Sequence, residues 1–564
     1  MSSLRGFSRA RVPTEVRPRR GAAVCASLSA WLLVACGLVG CSSVALPDLV
    51  DSDPSALSAG GSEGYDSSSG GFPGGTSGGS GTSGASSDGG SAGEGTTGGT
   101  GGGGVPPPEE LPEPQDVLEP LNDPLNEGCG GGNDPQAWAV AVREQGPTTS
   151  PSHVREAMMA DWPSLSSLDE VSVRPWEFLN YYTFDYPLAP EGLAPRAELR
   201  AGKDDLGDMF ELQLAVSGPM LANADRPPVH LTLALDNSGA MEGKALGLLK
   251  SAGVALASQL RPGDTVALAT WNAADGVLLP VTQVEGANDP AVLGALAGFT
   301  PGGATELASA LKASYALAEQ AYVPTDINRV VVITGGGATA TDADLAEIAA
   351  RAYDAPDKPG IHLVGVGVGD AALYRRGLID AVARAGGGAS LFIGSEAEAK
   401  RQLAERFVST LALAALDVHV TLTLPPDLRL GPSAAADVKT GEPERVLLAP
   451  NDRVVLHRVI RPCGVEVDPA GVLRADVAWV DAKSGALKQA TQEWKFGELL
   501  AGDTALLAKG VAVLAYTDAL RAWKLGDLLP LQTAQARLAE ATAALPNDGE
   551  LAEIAEVLAV LQSL

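Results

Sequence analysis

From His230 to Leu413 short apolar runs alternate with longer segments of helical periodicity. The run LTLALD predicts a strand and Glu242 to Leu260 a helix. Thr265 to Trp271 and Val277 to Val281 predict two strands paired across a short turn. Helices are predicted at Pro290 to Phe299 and Thr305 to Tyr322, then a strand at Asn328 to Thr334 and a helix at Asp342 to Tyr353. A strand at Ile361 to Val368, a helix at Leu373 to Ala385, a strand at Ser390 to Ile393 and a helix at Glu396 to Leu413 complete the series. Apolar strands separated by amphipathic helices predict an α/β domain, a doubly wound and mostly parallel sheet with helices on both faces. The segment His230 to Gly239, HLTLALDNSG, then carries special weight. Its apolar run ends in Asp236, with Ser238 two residues later. In such a sheet ligands bind outside the carboxyl ends of the strands.

The pattern changes on either side. Ser152 to Ala160 predicts a short helix, and Met209 to Val216 alternates as a strand. Between them, Val173 to Pro187 (VRPWEFLNYYTFDYP) is the densest aromatic cluster, and core packing is its simplest reading. After residue 416 the segments DVHVTLTLP, RVLLAP, DRVVLHRVI, LRADVAWVD and ATQEWKFGEL predict short strands between Gly, Pro and Asp turns, hence a small antiparallel sandwich. Thr504 to Leu520 and Leu531 onward return to helical spacing and predict a helical hairpin. The resulting division is 134–229 as an N-terminal accessory region, 230–415 as the central domain, 416–503 as the sandwich and 504–564 as the helical end.

Composition adds the remaining segments. Residues 42–104 are dominated by Gly, Ser and Thr, and residues 105–120 are Pro-rich and acidic. Neither buries enough apolar area to offset its ordering entropy, so 42–133 is expected to be a disordered tether. Six arginines, Arg5, Arg9, Arg11, Arg17, Arg19 and Arg20, precede an apolar stretch from Ala22 to Gly40. This predicts a targeting segment; a plain membrane anchor is the alternative. The stretch ends Leu38-Val39-Gly40-Cys41, which resembles a bacterial lipobox closing a signal segment at 1–41 and implies that Cys41 is lipidated and becomes the mature N-terminus. A rival box ends at Cys36. Of the five cysteines, Cys129 and Cys463 then remain in the folded part, and an exported protein is a setting where they can pair. The formal net charge of −29 argues against nucleic acid as a partner.

The central residues resemble a von Willebrand factor type A domain over 230–415. The wider span from about 150 to 540 resembles the YfbK-like family of exported bacterial proteins. Three pieces carry that likeness: VRPWEFLNYY from Val173 followed by Asp185-Tyr186-Pro187, Ile327-Asn328-Arg329-Val330-Val331, and Asp417-Val418. The resemblance implies a metal-ion-dependent adhesion site built on Asp-x-Ser-x-Ser, a Thr from a second loop and an Asp after a later strand, holding Mg²⁺ through hard oxygen donors. Asp236, Ser238 and Thr305 match three of these positions. Ala240 stands where the second Ser belongs, and Gly335 where the Asp belongs. The site is therefore expected to be degenerate, with no cofactor; in that case Asp236 hydrogen-bonds loop amides instead. Mg²⁺ binding is the alternative, with Asp342, Asp344, Glu242 or Glu306 as substitute donors.

Catalytic signals are thin. His153, His230, His362, His419 and His457 show no zinc spacing. The run Gly365-Val366-Gly367-Val368-Gly369 lacks the Lys-Ser/Thr of a phosphate loop, so it reads as a buried strand against closely packed helices. The expectation is a lipid-anchored protein of the bacterial cell envelope, a binding or scaffolding module for another envelope or extracellular protein. The alternatives are an envelope hydrolase using acidic cleft residues and a purely structural envelope component.

Overall fold

The computed structural model describes residues 136–140 (backbone only), 150–160, 168, 171, 173–271, 276–302, 307–353, 360–371, 374, 377–431, 446–464 and 466–564. Residues 1–104 and 105–564 separate as two units, and every described residue belongs to the second. The expected targeting segment, Cys36, Cys41, the tether, Cys129 and Thr305 lie outside the described residues.

The N-terminal flank supplies β1 (Gln136–Val140), α1 (Ser150–Met158), α2 (Pro175–Tyr181), β2 (Ala194–Asp204) and β3 (Gly207–Ser217). The central domain runs β4 (Val229–Leu235), α3 (Lys244–Ala257), β5 (Thr265–Thr270), β6 (Val277–Gln283), α4 (Pro290–Gly298), α5 (Leu307–Ala321), β7 (Ile327–Thr334), α6 (Asp342–Tyr353), β8 (His362–Val368), α7 (Gly377–Gly386), β9 (Ser390–Ile393), α8 (Glu396–Lys400) and α9 (Phe407–Leu411). The C-terminal flank holds β10 (Ala415–Leu424), β11 (Leu428–Leu430), β12 (Arg453–Pro462), β13 (Val472–Asp481), β14 (Leu487–Lys495), α10 (Phe496–Leu500), α11 (Ala505–Lys524), α12 (Leu529–Ala544) and α13 (Gly549–Ser563).

The central sheet has the order β6-β5-β4-β7-β8-β9. All neighbours are parallel except β5 and β6. Strands β4 and β8 are buried along their whole length, which is what a sheet covered on both faces requires of apolar runs. On one face Leu231, Leu233, Val331 and Val364 pack beneath Leu249 and Leu256 of α3 and Phe407 of α9. On the other, Val330 and Val332 meet Leu311 and Tyr315 of α5, Ile348 of α6 and Val382 of α7. The glycines of β8 are spacers for that packing. A Cβ at Gly365 would lie 2.8 Å from Cγ2 of Ile379, and one at Gly367 would lie 2.2 Å from the Tyr374 ring.

Two differences from the expected elements have physical causes. The helix expected from Glu396 to Leu413 is broken by a π turn at Arg401–Glu405, where the Arg406 amide reaches back to the Arg401 carbonyl. The extra residue keeps Leu403, Phe407 and Leu411 in the core while Glu398 and Arg401 face the flanking helices. The strand expected at RVLLAP is absent from its described part: Leu448 makes only an isolated bridge to Ala415.

The larger correction concerns the flanks. The sequence division set 134–229 apart from the sandwich at 416–503. The hydrogen bonds join them: β3 pairs antiparallel with β12 from Phe210–Ile460 to Ser217–Arg453, giving the sheet β11-β12-β3-β2. The opposing sheet is β1-β10-β13-β14, again from both flanks. Leu199, Leu212 and Leu214 of the first sheet share one core with Val420, Leu422, Val477 and Trp479 of the second. The central domain is thus an insertion between two halves of one sandwich. The expected hairpin is also a three-helix arrangement, α11 to α13, packed with Phe178, Tyr182 and Phe184 of the aromatic cluster. Cys463, just past β12, is disulfide-bonded; the other four cysteines lie outside the described residues.

A buried ionic cluster ties these parts together. The Glu398 carboxylate, 1% exposed, accepts from Arg155 Nη2 at 2.9 Å, Tyr181 Oη at 3.2 Å and Gln402 Nε2 at 2.9 Å. Arg155 also reaches Glu553 of α13 at 2.9 Å, and Arg401 pairs with Glu550 while lying over the Tyr181 ring. Lys509 of α11, 2% exposed, holds Asp548 at 2.6 Å, Glu550 at 2.7 Å and the Thr183 carbonyl at 2.8 Å. Burial raises the Tyr181 hydroxyl well above its usual range, so it stays a donor. Removing one partner from such a cluster strands the others, at a cost of about 3–5 kcal/mol.

His457 of β12 gives a test of this burial. It is 4% exposed and neither ring nitrogen has a partner among the described residues. Burial pushes its pKa down to about 4, whereas an unfolded chain binds that proton near ~6.5. The unfolded state therefore holds more protons between these values, and stability is full above ~6.5 and lost as pH falls toward about 4. His457→Leu should leave stability at pH 7 unchanged or raised. It should also flatten the decline between pH 6.5 and 4, as read by urea melts across pH. Parallel pH profiles for the two proteins would contradict this.

Candidate functional site

In the central sheet the chain runs outward from β4 to β6 on one side and from β7 to β9 on the other. The order reverses between β4 and β7, and the loops leaving their carboxyl ends form the crevice where such sheets take ligands. Asp236 leaves β4 and Gly335 leaves β7, so sequence-distant residues meet here. The Asp236 amide donates to the Ile333 carbonyl at 2.9 Å, continuing the pairing one step past the strand.

The Asp236 side chain is 1% exposed. Its Oδ1 accepts from the Ser238 amide at 2.8 Å and its Oδ2 from the Thr334 hydroxyl at 2.6 Å. Thr334 Oγ1 in turn accepts from the Gly336 amide at 3.1 Å. The carboxylate thus closes a turn on its own loop and clamps that loop to the end of β7. Thr334 was not singled out in the sequence; a hydroxyl as the last residue of an apolar strand is the signal that marks it. Asn237 anchors a third loop, its carbonyl accepting from the Gly302 amide at 2.8 Å.

Ser238 is followed by a 3-10 turn, Gly239–Met241, and α3 begins only at Lys244. The sequence placed that start at Glu242. Gly243, at φ 75°, holds a conformation open chiefly to glycine and delays the helix. The turn drives Met241 inward until it is fully buried, with Sδ 3.1 Å from the Gly335 amide nitrogen. A Cβ at Gly335 would lie 3.2 Å from that sulfur.

The expected ligand positions divide as follows. Asp236 and Ser238 are buried together at the crevice floor, and Ala240 is exposed. Gly335 adjoins Met241 and offers only backbone. Thr305 and Glu306 lie outside the described residues. Among the substitute carboxylates, Asp344 is occupied by α6, accepting from the Thr341 amide at 2.8 Å and hydroxyl at 2.7 Å. Asp342 and Glu242 are exposed. Among the described residues the expected ligand positions fit an octahedral divalent ion poorly: Asp236 brings the one carboxylate, its oxygens accept from Ser238 and Thr334, and positions 240 and 335 carry no side-chain oxygen.

Residues 231–338 match the family described as von Willebrand factor type A domain. The chain carries a von Willebrand factor type A domain. It is similar to the protein YfbK of Escherichia coli (strain K12), at 24% identity over 201 residues. That match spans 36% of this chain and 34% of YfbK, about a third of each. Among solved structures it resembles a von Willebrand factor type A protein from Catenulispora acidiphila, at 17% identity and a TM-score of 0.38, covering 67% of this chain and 91% of that one. It also resembles the ArnB paralog VWA2 from Sulfolobus acidocaldarius, at 15% identity and a TM-score of 0.33, covering 66% and 98%.

The von Willebrand factor type A loop face depends on Asp236 as an acceptor. Asp236→Ala orphans the Thr334 hydroxyl and the Ser238 amide, and each buried donor so stranded costs ~1–3 kcal/mol. The variant should lose about 2–4 kcal/mol by urea denaturation, while Asp236→Asn, which keeps one acceptor oxygen, should lose less. Equal losses in the two variants would refute this account of the loop.

Proposed function

We propose that the chain is a lipid-anchored component of the bacterial cell envelope whose von Willebrand factor type A domain binds a partner protein through its loop face, without a divalent ion. The observation that carries this reading is the Asp236 carboxylate, whose two oxygens are both taken up by Ser238 and Thr334. The loop face is then held by protein donors alone. The domain type supports protein binding as the role, and no nucleophile–base pair stands at the crevice among the described residues. His230 lies at the opposite end of β4, against Thr265 and Asp326. His362 opens β8 and His457 lies in the sandwich.

The disulfide at Cys463 supports export, since such bonds persist in oxidising compartments. We assign its partner as Cys129, the one other cysteine outside the targeting segment. No described helix is long and apolar enough to cross a membrane. We propose Cys41 as the anchor on the strength of the lipobox-like Leu38-Val39-Gly40-Cys41 that closes the apolar stretch. Cys41→Ser should abolish fatty-acid labelling and release the protein from membranes, whereas Cys36→Ser should change neither. Labelling that survives Cys41→Ser and disappears with Cys36→Ser moves the anchor to the other box.

Metal independence has its own readout. Millimolar Mg²⁺ or EDTA should leave the melting temperature and the capture of envelope proteins by the purified chain unchanged. A ligand of the folded state present at a hundred times its dissociation constant adds about 2.7 kcal/mol, so a true site is easily seen. Asp236→Ala should weaken capture under both conditions. Ala240→Ser with Gly335→Asp should create Mg²⁺-dependent stabilisation, with Met241 yielding a few tenths of an ångström to the new Cβ. A large Mg²⁺-dependent rise in the unaltered protein, lost in Asp236→Ala, would show an intact metal site.

A further inference from the structure

The opposite end of the central sheet holds a buried charge with no counter-ion among the described residues. Arg329, the third residue of β7, is 5% exposed. Its Nη1 donates to the Asn328 carbonyl at 2.8 Å, and no carboxylate pairs with it among the described residues. Its neighbour across the strands, His362, offers no compensation, for burial and the Arg329 charge push that imidazole down to about 3 and keep it neutral. Burial also pushes the Arg329 guanidinium down, to about 9. A buried cation left unpaired is among the most expensive features a protein retains.

Arg329 borders a cavity of about 60 Å³, whose lining includes Gly388, Ser409, Thr410, Asp452 and Arg453. One water needs only ~10–15 Å³ of such space, so the cavity has room for a small polyatomic group. Its one lining carboxylate, Asp452, is engaged by Arg406 at 3.2 Å and by the Arg453 amide at 3.0 Å. Arg453 spends its Nε on the Tyr186 carbonyl at 2.7 Å. The charged lining residues are thus two arginines against one aspartate, a net positive set in a chain whose net charge is −29. A planar guanidinium fork matches the oxygens of a carboxylate or phosphate.

We propose that this cavity is a binding site for a small oxyanion, a carboxylate or phosphate group, held by the Arg329 guanidinium at the end of the sheet remote from the loop face. Such an anion supplies the counter-charge that Arg329 lacks among the described residues.

The test uses the full chain in thermal melts and calorimetric titrations with sodium phosphate and with sodium acetate, against sodium chloride at matched ionic strength. Phosphate or acetate should raise the melting temperature by several degrees beyond chloride. Arg329→Met should abolish that rise, and in chloride its own melting temperature should equal or exceed that of the unaltered protein, because an unpaired charge is gone. Arg329→Lys keeps the charge and loses the fork, and should weaken binding at least tenfold; it also decides the matter should the Met variant fail to fold. A response to phosphate alone supports the proposal and names a phosphate group as the source, and a response to acetate supports it and names a carboxylate. No response to either anion, or equal responses in the unaltered protein and the Arg329 variants, overturns it.

Discussion

The union of the two flanks around the central domain depends on the pairing of β3 with β12. These strands come from opposite sides of the central domain, and their eight-residue ladder completes one sheet of the sandwich. Once it forms, both ends of the central domain are pinned to the same body. The ionic cluster around Glu398 works on that constraint. With β3 and β12 fixed, Arg155, Arg401, Lys509 and Glu553 converge from three separate stretches of chain onto one water-poor volume. Charges so buried are tolerable only when each has a partner, so the cluster specifies one docking geometry and penalises the others.

The loop face inherits its rigidity from the parallel sheet. Asp236 and Thr334 leave neighbouring strands at the same level, so one short hydrogen bond spans the point where the strand order reverses. The carboxylate that the family pattern assigns to an ion accepts here from the Ser238 amide and the Thr334 hydroxyl. The Arg226–Asp264 pair does related work at the other end of β4. Both side chains are fully buried, with bonds of 2.8 and 2.6 Å, and Asp264 also receives the Val229 amide as the strand begins. The central strand is thus fastened at both ends by an aspartate.

The central domain was legible in the sequence because its strands are buried on both faces and announce themselves as apolar runs. Residues 231–235 and 362–368 needed no context to be read. Strand β2 was not legible. Its sequence APRAELRAGKD carries Arg196, Glu198 and Arg200 at alternate positions, and a charged face reads as loop. Here that face is covered by α11, whose Leu507 amide donates to Glu198 at 2.7 Å. Burial pushes the Glu198 pKa up to about 7. The shared sandwich was invisible for the same reason, since pairing between distant strands leaves no local trace. At the loop face, Asp236 and Ser238 were found from spacing, but the roles of Thr334 and Met241 emerge only once two loops lie side by side. Arg329 was read only as part of a family motif, and its lack of a carboxylate partner among the described residues emerges only from the fold.

The insertion has a consequence for the order in which the chain acquires structure. The central domain closes on contacts made within itself, so it can condense as soon as its last helix has emerged. Strands β2 and β3 are made earlier but have only each other to pair with, and a two-stranded ribbon is marginal in water. They must wait through more than two hundred residues of chain for β12, holding Leu199, Leu212 and Leu214 uncovered in the meantime. Contacts of such long range are slow to form, and exposed strand edges during the wait invite association between chains. The sandwich, though its first strands come early in the sequence, can therefore be completed only after the central domain has emerged.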